Sequence, residues 1–340
     1  MTAGNGLPHL SAMPAMRLFR HYENLPSDVR GAAVAVGNFD GVHLGHRAVI
    51  GEAGRIARAN GLPWVVLTFE PHPRTLFFPD DPPFRLTPAD VKARVISTLG
   101  PDALVIVPFD RTFSQLSARA FVEAVIVRGL AARHVICGHD FAFGHHRKGT
   151  PELLLWLGDE LGFGFTCVQE VRDGDSETYS STRIRAALRA GDIATCTRLM
   201  GRPFEIEGVV ETGDQRGRSI GFPTANIGLG SYVRPAKGVY AVRAARADSP
   251  VPAWIDGIAN IGRRPTFDGD EVLLEAHLFD CQPDLYGCTL RVQLIAFLRH
   301  ERKFEGIEAL KRQIETDVVA ARRVLTGAAV DFAPARTGST

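Results

Sequence analysis

The sequence predicts an α/β protein in two parts: a parallel-sheet domain with helices on both faces, then an antiparallel β-barrel followed by a C-terminal helix. Three observations predict this. From Gly31 to Gln169, short apolar runs alternate with amphipathic stretches, the pattern of successive strand–helix–strand units. From about Gly201 the texture changes to short, β-rich, turn-punctuated segments, as in a small barrel. The chain has 340 residues, more than one compact core covers comfortably.

In chain order, Gly31–Phe39 reads as a buried strand. Val49–Asn60 has Ile50, Ala53, Ile56 and Ala57 at helical core spacing, the helix beginning near His46. Trp64–Phe69 is a second apolar strand. Thr87 caps a helix through about Leu99, with Pro88 at its first position. Ala103–Pro108 is a third strand, Ala118–Val127 a helix, and His134–Cys137 a fourth strand. Pro151–Leu161 is helical, Gly164–Gln169 is a fifth strand, and Ser181–Ala190 closes this half as a helix. In the second half the strand candidates are Phe204–Thr212, Gly238–Val242, Val251–Ile261, Val272–Phe279 and Leu290–Leu298. Phe304–Leu325 is a long helix with Ile307, Leu310, Ile314 and Val318 as its apolar stripe. Met1–Leu25 reads as a short extension, and the tail after Thr326 as frayed.

The formal net charge is +1, which argues against a nucleic-acid-binding face. The first residues lack the continuous apolar stretch of a signal peptide, and no run is long enough to span a bilayer. The five cysteines form no CxxC pair, so neither a disulfide framework nor a zinc knuckle is suggested. Reduced thiols in a cytoplasm are the simple reading. A homo-oligomer is left open.

In parallel α/β sheets, ligands sit beyond the carboxyl ends of the strands. Strand one runs into Gly37-Asn38-Phe39-Asp40-Gly41-Val42-His43-Leu44-Gly45-His46. This places His43 and His46 at a helix N-terminus, which favours anions. Imidazoles there can donate hydrogen bonds to charge developing on a transferring phosphoryl group. HxGH is expected by chance only roughly 0.04 times in a chain of this composition. Phe69-Glu70-Pro71-His72-Pro73 follows strand two, or is simply a rigid proline turn. Gly138-His139-Asp140-Phe141-Ala142-Phe143-Gly144 follows strand four, with Arg147 and Lys148 beyond. Ser180-Ser181-Thr182-Arg183-Ile184-Arg185 opens the last helix, either as a polyphosphate site or as a capped, solvated basic face.

The second half carries Gly213-Asp214-Gln215-Arg216-Gly217-Arg218-Ser219-Ile220-Gly221-Phe222-Pro223-Thr224-Ala225-Asn226. Glycines and arginines here can wrap a polyphosphate, and Thr224 and Asn226 offer oxygen ligands suited to Mg²⁺. The Walker pattern GxxxxGK[ST] is absent. Glu275 lies in Leu273-Leu274-Glu275-Ala276-His277-Leu278-Phe279-Asp280, on one strand face with Leu273, His277 and Phe279. A carboxylate on an apolar face is expected to be partly buried and poised as a general base, the alternative being an edge-strand Glu facing water.

The ordered run GNFDGVHLGH, FEPHP, GHDFAFG with Arg147, and SSTRIR resembles the FMN adenylyltransferase module of prokaryotic bifunctional riboflavin kinase/FAD synthetases. RGRSIGFPTANI, KGVY, IANIGRRPTF, LEAHLFD, DLYG and FLRHERKF resemble the riboflavin kinase domains of the same family. The resemblance runs from about Leu18 to Leu325. It implies a Rossmann-like nucleotidyltransferase domain over 16–195 and a six-stranded barrel kinase domain over 200–328. It further implies phosphorylation of riboflavin to FMN, then adenylation of FMN to FAD, with ATP as co-substrate and Mg²⁺ as cofactor. By that likeness His43 and His46 stabilise the α-phosphate, and Asn38 helps position the ATP phosphates. Ser181, Thr182 and Arg185 hold the triphosphate, and Asp140 contacts flavin or nucleotide. In the kinase domain, Gly217 and Arg218 bind nucleotide, Thr224 and Asn226 bind Mg²⁺-ATP, Glu275 deprotonates the ribityl 5′-hydroxyl, and Arg299 lies near the flavin. Ala142 departs from the family, many members of which carry a longer polar or basic residue there. Two other readings remain open: an adenylyltransferase for another phosphate ester, and a flavin-binding protein without turnover.

Overall fold

The computed structural model describes residues 15–172, 177–212, 221–249, 251–266, 269–280 and 285–327. The chain forms two compact units, one of residues 1–79 and 92–171, the other of residues 80–91 and 172–340.

The first unit is built on a six-stranded parallel sheet. Its strands are β1 (Arg17–Phe19), β2 (Ala33–Val36), β3 (Trp64–Glu70), β4 (Ala103–Pro108), β5 (His134–Gly138) and β6 (Gly164–Val168). Its helices are α1 (Leu44–Asn60), α2 (Pro73–Phe77), α3 (Ala89–Ser97, from Lys92 onward), α4 (Ala118–Phe121) and α5 (Pro151–Leu161). The α4 helix continues as a π-helical stretch, Val122–Gly129. The strand order is β1-β4-β3-β2-β5-β6, so the order reverses at β2, the switch point where such sheets bind ligands. Strands β2 to β5 are almost fully apolar because both faces are covered. Val34, Val36, Leu67, Val105 and Val135 pack on one side with Phe121, Val125, Leu154 and Leu157. The alternate residues Ala35, Val66 and Ile136 are equally buried, on the side where α1 contacts β2, β3 and β5.

β1 lies inside the stretch expected to be a simple extension, pairing Arg17–Phe19 in parallel with Ala103–Val105. The sheet core and its edge therefore begin earlier than the apolar pattern implies: Leu25 and Val29 are buried too.

The second unit adds α6 (Ser181–Ala190), α7 (Ile193–Met200), β7 (Phe204–Glu211), β8 (Ala225–Gly228), β9 (Gly238–Arg246), β10 (Ile255–Thr266), β11 (Gly269–Leu278), β12 (Thr289–His300) and α8 (Ile307–Gly327). β7 to β12 close an antiparallel barrel in the order β10-β11-β8-β7-β12-β9. Closure leaves no strand edge to template further pairing. Phe204, Ile206, Tyr240, Val242, Ile227, Leu274 and Leu294 are all fully buried.

α8 covers part of the outer wall. Ala321 and Leu325, flanked by Ile314 and Val318, pack on Val239, Ala241, Ile258 and Phe279. The expected stripe is thus shifted towards the C-terminus. Ile307 is 60% exposed, because the helix meets the barrel only from its second turn onward.

Candidate active sites

In the first unit the chain leaves β2 at Val36 and must reach the start of α1 at Leu44. The turn uses backbone with positive φ at Phe39 (48°), Gly41 (93°) and Val42 (43°). That conformation is free for glycine but strained for a β-branched residue, and strain of this kind persists only where the surroundings enforce it. His43 caps α1: its Nδ1 accepts the His46 backbone N–H at 3.3 Å. An accepting Nδ1 leaves the proton of the neutral ring on Nε2. The His43 imidazole therefore fills a capping role with one nitrogen and carries its proton on the other. The His43 and His46 rings stack with centroids 3.6 Å apart, and Phe39 meets His46 edge-on at 5.4 Å. His43 and Asp40 are buried, while Asn38 and His46 are half-buried.

The neighbouring strand ends supply the other predicted groups of this unit. β3 ends at Glu70, followed by a cis Glu70–Pro71 bond, and His72 caps α2 by accepting the Arg74 N–H at 3.2 Å. Asp140 stands exposed just beyond β5. Ala142 is half-buried between Phe141 and Phe143, whose rings stack 5.5 Å apart. Beside this end of the sheet, Cys137 and Cys167 are register partners on β5 and β6. Burial pushes the Cys137 thiol up to about 12, so it is a protonated packing residue rather than a nucleophile.

Sequence reasoning missed Lys92. Its side chain is fully buried and its ammonium lies 2.8 Å from Glu70 Oε1. It also donates to Thr68 Oγ1 at 3.0 Å and to the Asn38 carbonyl at 3.1 Å. A signal existed: Lys92 shares a helical face with Val95 and Ile96, both buried, and a charge on an apolar stripe demands partners.

Ser181, Thr182 and Arg185 open α6 in the second unit. Ser180 caps the helix by accepting the Arg183 N–H at 3.2 Å. Arg185 Nε donates to the Phe84 carbonyl at 2.7 Å, with its guanidinium over the Phe84 ring. Capped and anchored, this helix start is a fixed array of N–H groups, one hydroxyl-rich face and a cation.

The barrel carries its candidate groups as a belt on the outer face. Asn226 of β8 is directly opposite Glu211 of β7 and Glu275 of β11, and Glu275 is opposite Asn260 of β10. Residues directly opposite share a face, so Asn226 and Glu275 stand side by side. Thr224 precedes β8 and is half-buried, and Asn226 is buried. A hydroxyl, an amide carbonyl and adjacent carboxylates form an all-oxygen donor set, which fits a hard cation that takes few protein ligands. His277 Nδ1 pairs with the Pro223 carbonyl at 2.9 Å and its ring meets Phe222 at 5.3 Å, tying the segment before Thr224 to the strand of Glu275.

Glu275 itself is exposed, not partly buried as expected. Leu274, Ala276 and Leu278 face the barrel interior, which puts Glu275 on the outer wall. Nor is it on an edge, since β11 is paired on both sides. Arg299 lies on the same wall two strands beyond Asn260, through Val239. Its Nε and Nη2 fork onto Asp317 of α8 at 2.7 to 3.1 Å, and Nη1 donates to the His300 carbonyl. Gly217 and Arg218 lie outside the described residues.

A model described as FAD synthetase matches residues 25–183, and one described as riboflavin kinase matches residues 200–325. The bifunctional riboflavin kinase/FMN adenylyltransferase of Escherichia coli (strain K12) is 41% identical over 309 residues, 90% of this chain and 97% of that protein. The protein of the same name from Bacillus subtilis (strain 168) is 41% identical over 293 residues, 84% and 90% of the two chains. Among solved structures, one described as a macrolide-efflux protein from Streptococcus pneumoniae superposes with a TM-score of 0.78 at 30% identity, covering 91% of this chain and 99% of that one. Among the described residues, no helix is long and apolar enough to cross a membrane. With both domains matched in order and the relatives covered almost end to end, the chain belongs to the bifunctional riboflavin kinase/FMN adenylyltransferase family.

Proposed function

We propose that the chain makes FAD from riboflavin in two ATP-dependent transfers, one in each domain. The kinase domain, 200–328, converts riboflavin to FMN and releases ADP. The adenylyltransferase domain, 16–195, joins FMN to AMP and releases pyrophosphate. The observation that carries this reading is the coexistence of two unlike phosphate-chemistry sites in one chain: the stacked His43–His46 pair at the N-terminus of α1, and the Asn226–Glu275 pair on the barrel wall.

In the first transfer, Glu275 takes the proton of the ribityl 5′-hydroxyl as its oxygen attacks the γ-phosphorus, and the bond to the ADP oxygen breaks. An exposed carboxylate is the form that can receive a substrate hydroxyl directly. Thr224 and Asn226 would hold Mg²⁺, which supplies neutralisation of the ATP phosphates when bound. Gly217 and Arg218 would grip the polyphosphate. Arg299 contributes to the flavin side by anchoring α8 through Asp317.

In the second transfer, a phosphate oxygen of FMN attacks the α-phosphorus of ATP, and the bond to the bridging oxygen of pyrophosphate breaks. No base is needed, since the attacking phosphate is already ionised. His43 Nε2–H and His46 donate to the α-phosphate oxygens where charge accumulates. Asn38 positions the phosphates, Ser181, Thr182 and Arg185 hold the triphosphate, and Asp140 contacts the flavin or the nucleotide. The small-molecule substrates and a net charge of +1 fit a cytoplasmic enzyme with no nucleic-acid or membrane partner. Purified protein given riboflavin, ATP and Mg²⁺ should accumulate FMN and then FAD by chromatography. Absence of both products refutes the reading.

A further inference from the structure

Lys92 is a buried titratable group that neither transfer step uses. It shares the buried face of α3 with Val95 and Ile96, and its ammonium is completely enclosed. Enclosure of a charge is costly unless every donor is matched. Here Glu70 Oε1 at 2.8 Å, Thr68 Oγ1 at 3.0 Å and the Asn38 carbonyl at 3.1 Å receive it. Thr68 Oγ1 also donates to that carbonyl, at 3.1 Å. One cation therefore ties Asn38, two residues past β2, to the end of β3, and so links the segment carrying His43 and His46 to the segment Phe69–Pro73.

The connection from Asn38 to His43 contains two non-glycine residues at positive φ, Phe39 and Val42. Strained backbone keeps one shape only if both ends are held. The far end is held by the His43 cap on α1, and the near end by the hydrogen bonds to the Asn38 carbonyl. We infer that Lys92 is a positioning residue for adenylyl transfer, fixing through Asn38 the backbone that sets the His43 and His46 imidazoles against the α-phosphate. The inference rests on the reading of this domain as an FMN adenylyltransferase. Lys92 touches no substrate. It acts by holding the donors where the transition state needs them.

The test uses the full chain, whose kinase domain serves as an internal control. Wild-type protein is assayed first. If it makes no FAD from supplied FMN and ATP, the underlying reading fails, and the inference with it. Lys92→Met should lower kcat for FAD formation about 10²-fold, the scale of a 1 Å misplacement at a reacting centre. KM for FMN and for ATP should hold within about threefold, because binding contacts common to ground and transition states are untouched. FMN formation from riboflavin should not change. Since Lys92→Met leaves Glu70 without its buried ion-pair partner, Lys92→Met/Glu70→Gln is measured beside it, with thermal unfolding of both. The double variant should recover the wild-type unfolding temperature while FAD formation stays slow. A folded double variant with wild-type kcat, an equal loss of kinase activity, or unfolding of both variants would each assign Lys92 to fold stability and overturn the proposal.

Discussion

The two halves of the chain hold their reactive side chains in opposite ways. In the parallel-sheet unit the groups read as phosphate donors are built in: His43 is buried, caps a helix with one nitrogen and stacks on His46, and a buried ammonium anchors the backbone before it. In the barrel the carboxylate read as a base stands exposed on the outer face of a regular strand. The contrast follows from the two reactions. Adenylyl transfer to an ionised phosphate requires no proton removal, so its catalysis is placement of donors that must not reorganise. Kinase chemistry begins with a hydroxyl that must lose a proton, so its base has to remain reachable. The folds suit the tasks: a parallel sheet presents loop-borne groups at strand ends, whereas a barrel wall lines up side chains from neighbouring strands.

The largest effect should come from removing the exposed carboxylate proposed as the base. Glu275→Gln keeps the shape and the register with Asn226 and should lower FMN formation by about 10²–10⁴-fold, while FAD formation from supplied FMN persists. Equal loss of both activities in a folded variant would break the idea of two separate sites. Next in size is His46→Ala, which removes one preorganised donor and should cost FAD formation about 10²–10³-fold. Kinase turnover in the same preparation should be unaffected. A wild-type rate of FAD formation would take His46 out of the catalytic set.

The same contrast explains what could be read from the sequence. Ala103–Pro108, Pro151–Leu161 and Ser181–Ala190 have the bounds expected of them. Buried parallel strands are continuous apolar runs, and these helices carry their own boundary residues: Thr150 and Gly162 around one, Ser180 and Gly191 around the other. α7 carries such marks too, Asp192 and Gly201. β1 and β8, of three and four residues, are too short to show a period. The barrel strands were legible as strands but not as faces. β11 is apolar on both sides, with Leu274 and Leu278 inward and Leu273 and Phe279 outward, so alternation alone could not say that Glu275 points away from the interior. HxGH marks its candidate site by residue type. Lys92 and His277 did not, because their roles depend on carbonyls contributed by Asn38 and Pro223, far away in sequence.

A third expectation sharpens the comparison on the barrel side. If Arg299 acts by anchoring α8, breaking its fork should act on stability before it acts on substrate. Asp317 is buried, and the Arg299 side chain is 20% exposed. Asp317→Asn leaves the guanidinium without its counter-charge and should destabilise the second unit by about 3 kcal/mol, the lower end for a broken buried pair. Urea unfolding followed by a barrel-specific probe would show it. Unchanged stability with a raised KM for riboflavin would instead place Arg299 directly at the flavin.

The smallest effect tests the rigid side, through pH. Burial is the main cause that holds the His134 imidazole below its ordinary value of 6.5, Glu52 opposes that shift and Arg55 adds to it. His134 pairs with Thr166 Oγ1 at 2.8 Å between β5 and β6. With the folded value depressed, the unfolded chain binds more protons in the window just below pH 6.5. Stability therefore rises with pH through that window and is lost as pH falls. The first unit should melt at a lower temperature at pH 5.5 than at pH 7.5, and His134→Gln should flatten that dependence while leaving the melting point at pH 7.5 nearly unchanged. If the variant keeps the full acid sensitivity, the proton uptake lies elsewhere.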